Sequence, residues 1–336
     1  MIDYKNNSIR IKNMNNKISE IINIIKNSEK MAVLTHVNPD GDCIGSALAL
    51  KLIIENNFNI PVQPVVIGKV PEIYGFLPQI ECFKTISELN DTDFDTVISV
   101  DCAAKDRLTE TITLFDNAKE TINIDHHKTN PNFGKYSFVL GNASSTGEVL
   151  MNLVRETKLK INKDIADCLY VAILTDTGGF RFENTKAETF QAVAELMNYG
   201  INPSFLYAGC YESKPLPMVK LCAYAISKAQ FVHNGKIAYT VITLDDLKAN
   251  NALNEHTEGI VELLRQINTV EIAFVAKETE QGYTKVSLRS KNADVTKIAS
   301  LFDGGGHTKA AGCTIKKPYK IAADKLVSEA EKLLEK

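Results

Sequence analysis

The sequence predicts an α/β fold in two parts: an N-terminal domain with a largely parallel sheet covered by helices, then a smaller C-terminal α+β domain. Three observations carry this. The first half alternates short β-branched runs with helical patterns, the order expected when parallel strands are joined by crossover helices. A stretch with Pro203, Pro215 and Pro217 interrupts it. Beyond that stretch strands follow one another closely, with fewer helices between them.

At 336 residues the chain is long enough for two cores, and its 44% apolar content argues against disorder. Residues 1–17 are expected to form an N-terminal extension. Ile18, Ile21, Ile22, Ile24 and Ile25 then fall on one side of a helix. MAVLTH (31–36) reads as a buried strand, and Ile44, Leu48, Leu52 and Ile53 mark the helical face that follows. PVQPVVI (61–67) is strand-like, with prolines that place it at a sheet edge. TVISV (96–100) and TINI (121–124) are further strands, each followed by an acid. Helices are expected over 146–156, 163–175 and 185–199, the last closed by Gly200. The first domain thus covers 18–200, and 201–229 is a linker and connecting helix. In the second domain, 230–336, strands are expected at 236–244, 270–278 and 283–290 and a helix at 256–267. A glycine-rich turn at 302–312 and a closing amphipathic helix complete it.

The formal net charge of −3 disfavours a protein that coats long double-stranded nucleic acid, because phosphate neutralisation dominates such binding. It leaves room for a small nucleotide held by a few basic groups. The 7 cysteines are scattered without a CxxC pair, so neither a zinc knuckle nor a disulfide framework is predicted, and free thiols in a reducing cytoplasm are expected. The first thirty residues lack the apolar core of a signal peptide, and no run reaches the ~20 apolar residues of a membrane span. A cytoplasmic protein with no membrane partner is the expectation.

Acids and histidines fall at informative places. His36, Asp40 and Asp42 follow the first strand, Asp101 ends TVISV, and Asp125, His126 and His127 end TINI. Asp176 closes an apolar helical run. Ligands of parallel-sheet proteins bind at the carboxyl ends of the strands, so these clusters should converge on one rim. A single Asp after a strand is most often a helix cap, and NPDG alone is an ordinary turn. Together the residues form a natural site for hard or borderline divalent ions, since so many ionisable groups without local partners are costly to bury.

HVNPDGDCIGS, VISVDCA, IDHHKTN and AILTDTGGFRF resemble, in order and spacing, the four motifs of the DHH phosphoesterase family. SLRSKNADVTKIASLFDGGGHTKAAG is similar to the DHHA1 domain. The resemblance covers roughly 18–335 and looks most like the bacterial stand-alone oligoribonuclease and bisphosphate nucleotidase branch, the nanoRNases. It implies two divalent cations, most readily Mn2+ with Mg2+ as an alternative, and an active cleft between the two domains. Carried over by position, His36, Asp40 and Asp101 match the ligands of one ion. Asp42, Asp101, His126 and Asp176 match those of the other, with Asp101 bridging. His127 matches a residue facing the substrate phosphate, and Asp125 supports the site from behind. Two ions close together can activate a water and clamp phosphoryl oxygens in an in-line displacement.

Ser144, Ser145 and Thr146 precede a helix, where they cap it or receive a phosphate; the resemblance puts Ser145 and Thr146 near the active cleft. Gly304, Gly305 and Gly306 form a turn or, with His307 after them and Arg289 upstream, a phosphate-binding nest. The activity this implies is hydrolysis of phosphodiester or terminal phosphate bonds in short oligoribonucleotides and in 3′-phosphoadenosine 5′-phosphate. A cyclic-di-AMP or linear dinucleotide phosphodiesterase is the enzymatic alternative, and a nucleotide sensor without catalysis the alternative of another class. A homodimer is compatible with the sequence, which does not decide it.

Overall fold

Unbroken buried runs in the first strands set up a sheet with both faces covered. In the computed structural model, which describes residues 16–335, helix α1 (16–26) leads into β1 (Met31–Leu34). Met31 and Val33 enter one core, and Ala32 and Leu34 the other. α2 (Gly41–Phe58) starts where Asp40 accepts from Cys43 N at 3.1 Å and ends where Asn59 turns left-handed. β2 (Val62–Val65), β3 (Thr96–Val100), α3 (Ile112–Asn117), β4 (Glu120–Asp125) and β5 (Tyr136–Val139) follow. The five-stranded sheet runs β2-β1-β3-β4-β5, all parallel, with proline-bearing β2 at an edge.

α2 and a second helix pack on the sheet, and two further helices pack over them. α4 (Thr146–Thr157) is capped by Ser145 and α5 (Lys163–Asp176) by Asn162; α6 (Ala187–Met197) ends three residues before Gly200. α2 and α5 approach closely: a Cβ on Gly45 would stand 2.6 Å from the Cys168 carbonyl oxygen. α2 is buried nearly all round, as a helix between sheet and α5 must be. The proline-bearing stretch is helical: Asn202 caps α7 (Pro203–Tyr211) and Pro203 takes its first position, where a missing N–H costs nothing. The chain divides into two compact units between Ser213 and Lys214.

The second unit holds α8 (Leu216–Ser227), β6 (Gln230–Val232), β7 (Ile237–Ile242), α9 (Leu244–Ala249), α10 (Ile260–Gln266), β8 (Ile272–Glu278), β9 (Thr284–Ser290), α11 (Thr296–Ala299), β10 (Gly305–His307), β11 (Ala310–Ile315) and α12 (Tyr319–Leu334). Its six-stranded sheet runs β10-β11-β9-β8-β7-β6, with only β7 and β8 parallel. Ile272, Phe274 and Ala276 share a core with Ala322, Leu326 and Ala330 of α12, whereas Ala273 and Val275 face α8 and α10. Two sequence expectations change here. The helix expected from 256 begins at Ile260, because Gly259 at φ +83° separates it from a 3-10 turn at Asn254–Thr257. The glycine-rich segment is no simple turn, since Gly305–His307 pairs antiparallel with β11. The expected N-terminal extension lies outside the described residues except for its last positions.

Candidate metal centre

The carboxyl ends of β1, β3 and β4 lie side by side, and each delivers an ionisable group just past its last hydrogen bond. Asp101 sits at φ +54°, a conformation Asp adopts more readily than most residues, with its N–H donating to Ile124 O at 3.0 Å. His36 Nε2 lies 3.4 Å from Asp101 Oδ2. His126 Nε2 lies 3.5 Å from Asp101 Oδ1, 3.6 Å from Asp176 Oδ2 and 3.8 Å from Asp42 Oδ2. Asp42 and Asp101 are buried.

Helix ends hold these acids in place. Asp42, in the first turn of α2, accepts from the backbone N–H of Thr146 (2.6 Å) and Gly147 (3.0 Å) at the start of α4, and from Ser46 Oγ at 3.1 Å. The Thr146 hydroxyl donates to Asp101 Oδ1 at 3.1 Å. Asp176, the last residue of α5, is steadied by Asn184 Nδ2, which donates to its backbone oxygen at 3.1 Å and its carboxylate at 3.4 Å. Ser145 is fully buried and caps α4 by accepting from Glu148 N.

The donor set fits divalent cations. Two ligand atoms ~2.1 Å from one ion are at most about 4.2 Å apart, and the N–O separations just given lie inside that limit while exceeding ordinary hydrogen bonds. Donor atoms of Asp42, His126 and Asp176 lie within 4.8 Å of one another, as do those of Asp101, Asp125, His126 and His127, and those of His36, Cys43 and Asp101. Asp40 belongs to no such group among the described residues; its carboxylate caps α2. Cys43 stands closer in, a donor that the scattered cysteine pattern did not single out.

Electrostatics point the same way. Burial and the neighbouring Asp101 charge push Asp42 well above the usual carboxylate range, and burial pushes Asp176 up to about 7. Asp101 is held below that range: burial opposes its charge, but the His126 and His36 imidazoles beside it prevail. Burial disfavours the His126 imidazolium, yet Asp101 and the other acids push it up to about 10. A carboxylate cluster under this strain is what a bound cation relieves.

His127 has a different environment. Its Nδ1 lies 2.7 Å from Asp125 Oδ1, and Asn130 Nδ2 donates to the other Asp125 oxygen at 2.5 Å. Asp125 is buried, whereas the His127 side chain is 34% exposed, so the imidazole presents an outward edge. Burial lowers the His127 pKa, but its bond to Asp125 more than offsets this and raises it. Arg107, absent from the sequence reading, reaches His36 Nδ1 with a guanidinium nitrogen at 2.9 Å. A lone arginine downstream of VISVDCA offers no local pattern that would have singled it out.

In the second unit His307, on edge strand β10, and Arg289, on β9, both face Ala310 of β11 across the ladder. Directly opposed residues project to one face, so His307 and Arg289 share a row roughly 10 Å across, two strand spacings. His307 is exposed, and Arg289 Nε pairs with Glu262 Oε1 at 2.9 Å. Gly304 and Gly306 are required by packing, because a Cβ would lie 2.3 Å from Gly312 O or 2.4 Å from Ala310 O respectively; Gly305 is open.

The sequence model described as DHH family, N-terminal domain, matches residues 30–173, and that of the DHHA1 domain matches 234–336. The chain is 31% identical over 290 residues to the Streptococcus mutans protein named "Probable bifunctional oligoribonuclease and PAP phosphatase NrnA", covering 86% of this chain and 90% of that one. The chain belongs to the DHH–DHHA1 phosphoesterase family. The bifunctional oligoribonuclease and PAP phosphatase NrnA of Thermus thermophilus is 31% identical over 286 residues, 84% of this chain and 83% of that one. The crystal structure of an exopolyphosphatase-related protein from Bacteroides fragilis superposes with a TM-score of 0.88 at 23% identity, over 95% of this chain and 98% of that one, and shares the fold. This DHH–DHHA1 protein is thus a hydrolytic enzyme whose donor cluster can hold metal, and no described helix is long and apolar enough to cross a membrane.

Proposed function

We propose that this DHH–DHHA1 protein hydrolyses phosphodiester or terminal phosphate bonds in short oligoribonucleotides and in 3′-phosphoadenosine 5′-phosphate. The observation that carries the reading is the gathering of the Asp42, Asp101 and Asp176 carboxylates around His126 Nε2, with His36 at the other oxygen of Asp101. The substrate class follows the names of the Streptococcus and Thermus relatives.

In this proposal His36, Asp40 and Asp101 hold one divalent cation and Asp42, Asp101, His126 and Asp176 the second, with Mn2+ favoured over Mg2+ by the imidazoles. When bound, such a pair supplies Lewis-acid charge to a water and to the phosphoryl oxygens. The chain's own residues do the rest. Asp125 accepts a hydrogen bond from Nδ1–H of His127, which fixes the ring and leaves Nε2 on the exposed edge. The bond to Asp125 raises the His127 pKa, and the exposed Nε2 edge is suited to neutralise a phosphoryl oxygen or, when protonated, to donate to the leaving oxygen. Thr146 and Ser145 act by holding Asp42, Asp101 and the start of α4. His307 and Arg289, with Gly304, Gly305 and Gly306, bind a further phosphate or backbone segment of the substrate.

A substrate panel tests this with purified protein and manganese: short RNAs of graded length, 3′-phosphoadenosine 5′-phosphate, linear diadenylate and cyclic-di-AMP. Turnover of the short RNAs and the bisphosphate is expected. Turnover confined to cyclic-di-AMP or linear diadenylate would replace the reading with a dinucleotide phosphodiesterase, and inertness toward all would favour a nucleotide sensor.

A further inference from the structure

Arg107 lies in the 3-10 turn Lys105–Thr111 that follows β3. Its backbone is tied to the loop that carries His36: Val37 N donates to Arg107 O at 3.0 Å. Its guanidinium folds back over the same loop, with one nitrogen 2.9 Å from His36 Nδ1 and 3.4 Å from Val37 O. The residue is exposed, and no carboxylate among the described residues forms an ion pair with it. A cation is therefore held in a fixed place at the edge of a carboxylate cluster, paired with none of its members.

The neighbours of His36 decide what this cation is free to do. His36 Nδ1 already has an acceptor, Val37 O, at 2.9 Å. If His36 ligates through Nε2, the ring proton must sit on Nδ1 and goes to that carbonyl, the usual way a second partner fixes a ligating imidazole. Nδ1 then has no lone pair for Arg107, and the guanidinium keeps only the longer contact to Val37 O. The side chain is exposed, and its remaining N–H groups have no carboxylate partner among the described residues. A planar fork of donors matches the oxygens of a phosphate in a way no lysine does.

We propose that Arg107 is a substrate-contact residue, donating to non-bridging oxygens of the phosphate that undergoes hydrolysis beside His36. This rests on the reading of the site as a phosphoesterase centre. Two variants and two readouts test it. Arg107→Ala is expected to lower kcat/KM about 10²-fold, the size of effect seen when one charge-stabilising donor is removed. Arg107→Lys should recover only part of the loss, and added guanidinium should partly rescue Arg107→Ala. Calorimetric titration of the manganese-loaded protein with inorganic phosphate should show binding weakened at least about tenfold, with manganese affinity, titrated separately, as in the wild type. Manganese affinity falling in step with activity would overturn the inference and make Arg107 a positioning residue for His36. Unchanged phosphate affinity in both variants would overturn it outright. A wild type inert toward the whole substrate panel would instead sink the functional reading, and the phosphate titration would still judge Arg107.

Discussion

Replacing Asp101 with Asn should abolish most of the stabilisation that manganese gives the first unit. Asp101 supplies donor atoms to two of the three groups, one with His36 and one with His126. The substitution keeps the shape: Asn tolerates the φ of +54°, and its side-chain oxygen can still accept from Thr146. What it removes is the charge and one anionic ligand atom at each cation position. An ion that binds only the folded state at one hundred times its dissociation constant adds about 2.7 kcal/mol. For a unit of this size each kcal/mol raises the midpoint by about 2–4 °C, so wild type should gain roughly 5–10 °C. Asp101→Asn should gain at most about a third of that, from whatever single weak site survives. The assay is thermal unfolding of each protein with and without manganese. Only the manganese-induced shift is compared, so any change in metal-free stability cancels. A variant that retains more than half of the wild-type shift would refute Asp101 as the shared ligand.

Further outcomes follow from other contacts. Gly45→Ala should lower the unfolding free energy by about 1–3 kcal/mol, seen as a lower urea midpoint at unchanged m, because the new methyl meets the α5 backbone; a wild-type midpoint would mean that the helices yield. Asp246, which caps α9 through Thr243 N and pairs with Lys228, has a carboxyl held below its usual range: burial opposes, and Lys228 and the cap prevail. Its contribution is therefore full above about pH 5 and is lost as pH falls through the lowered folded-state value; the stability difference between wild type and Asp246→Asn should shrink on acidification, and a constant difference down to strong acid would count against it. His307→Ala should keep manganese occupancy yet lower kcat/KM on dinucleotides and 3′-phosphoadenosine 5′-phosphate far more than on a minimal chromogenic ester, with equal losses moving His307 into the chemical step. Thorough chelation should remove activity reversibly, and near-normal turnover afterwards would rule out metal-dependent chemistry.

What could be read from the sequence was set by local physics. The β-branched run TVISV and the acid after it specify a buried strand with a polar residue at its carboxyl end, and α2 announces itself through Asp40 and its apolar residues. Some short edge strands were not readable. β5 and β10 exist because a neighbouring strand completes their hydrogen bonds, and the glycines of β10 carry no strand propensity of their own. The helix α7 inside the proline-bearing stretch was not readable either, because a proline's place in a helix, first turn or interior, shows only once the cap is known. Cys43 and Arg107 escaped for another reason. Each joins the centre through contacts made only in three dimensions, and neither spacing nor composition records them.

Asp42 belongs to α2, but its oxygens are held by the first amides of α4, residues 104 and 105 positions further along the chain. Asp176, which closes the cluster, is reached only at the end of α5. Contacts of such separation form after local structure, because the intervening chain must first be closed into a loop. His36, Asp40, Asp42 and Asp101 all precede α4 and α5 in the chain, so the donor set is complete only when those two helices have docked. The geometry of the cluster is thus a record of long-range packing and of no single local motif.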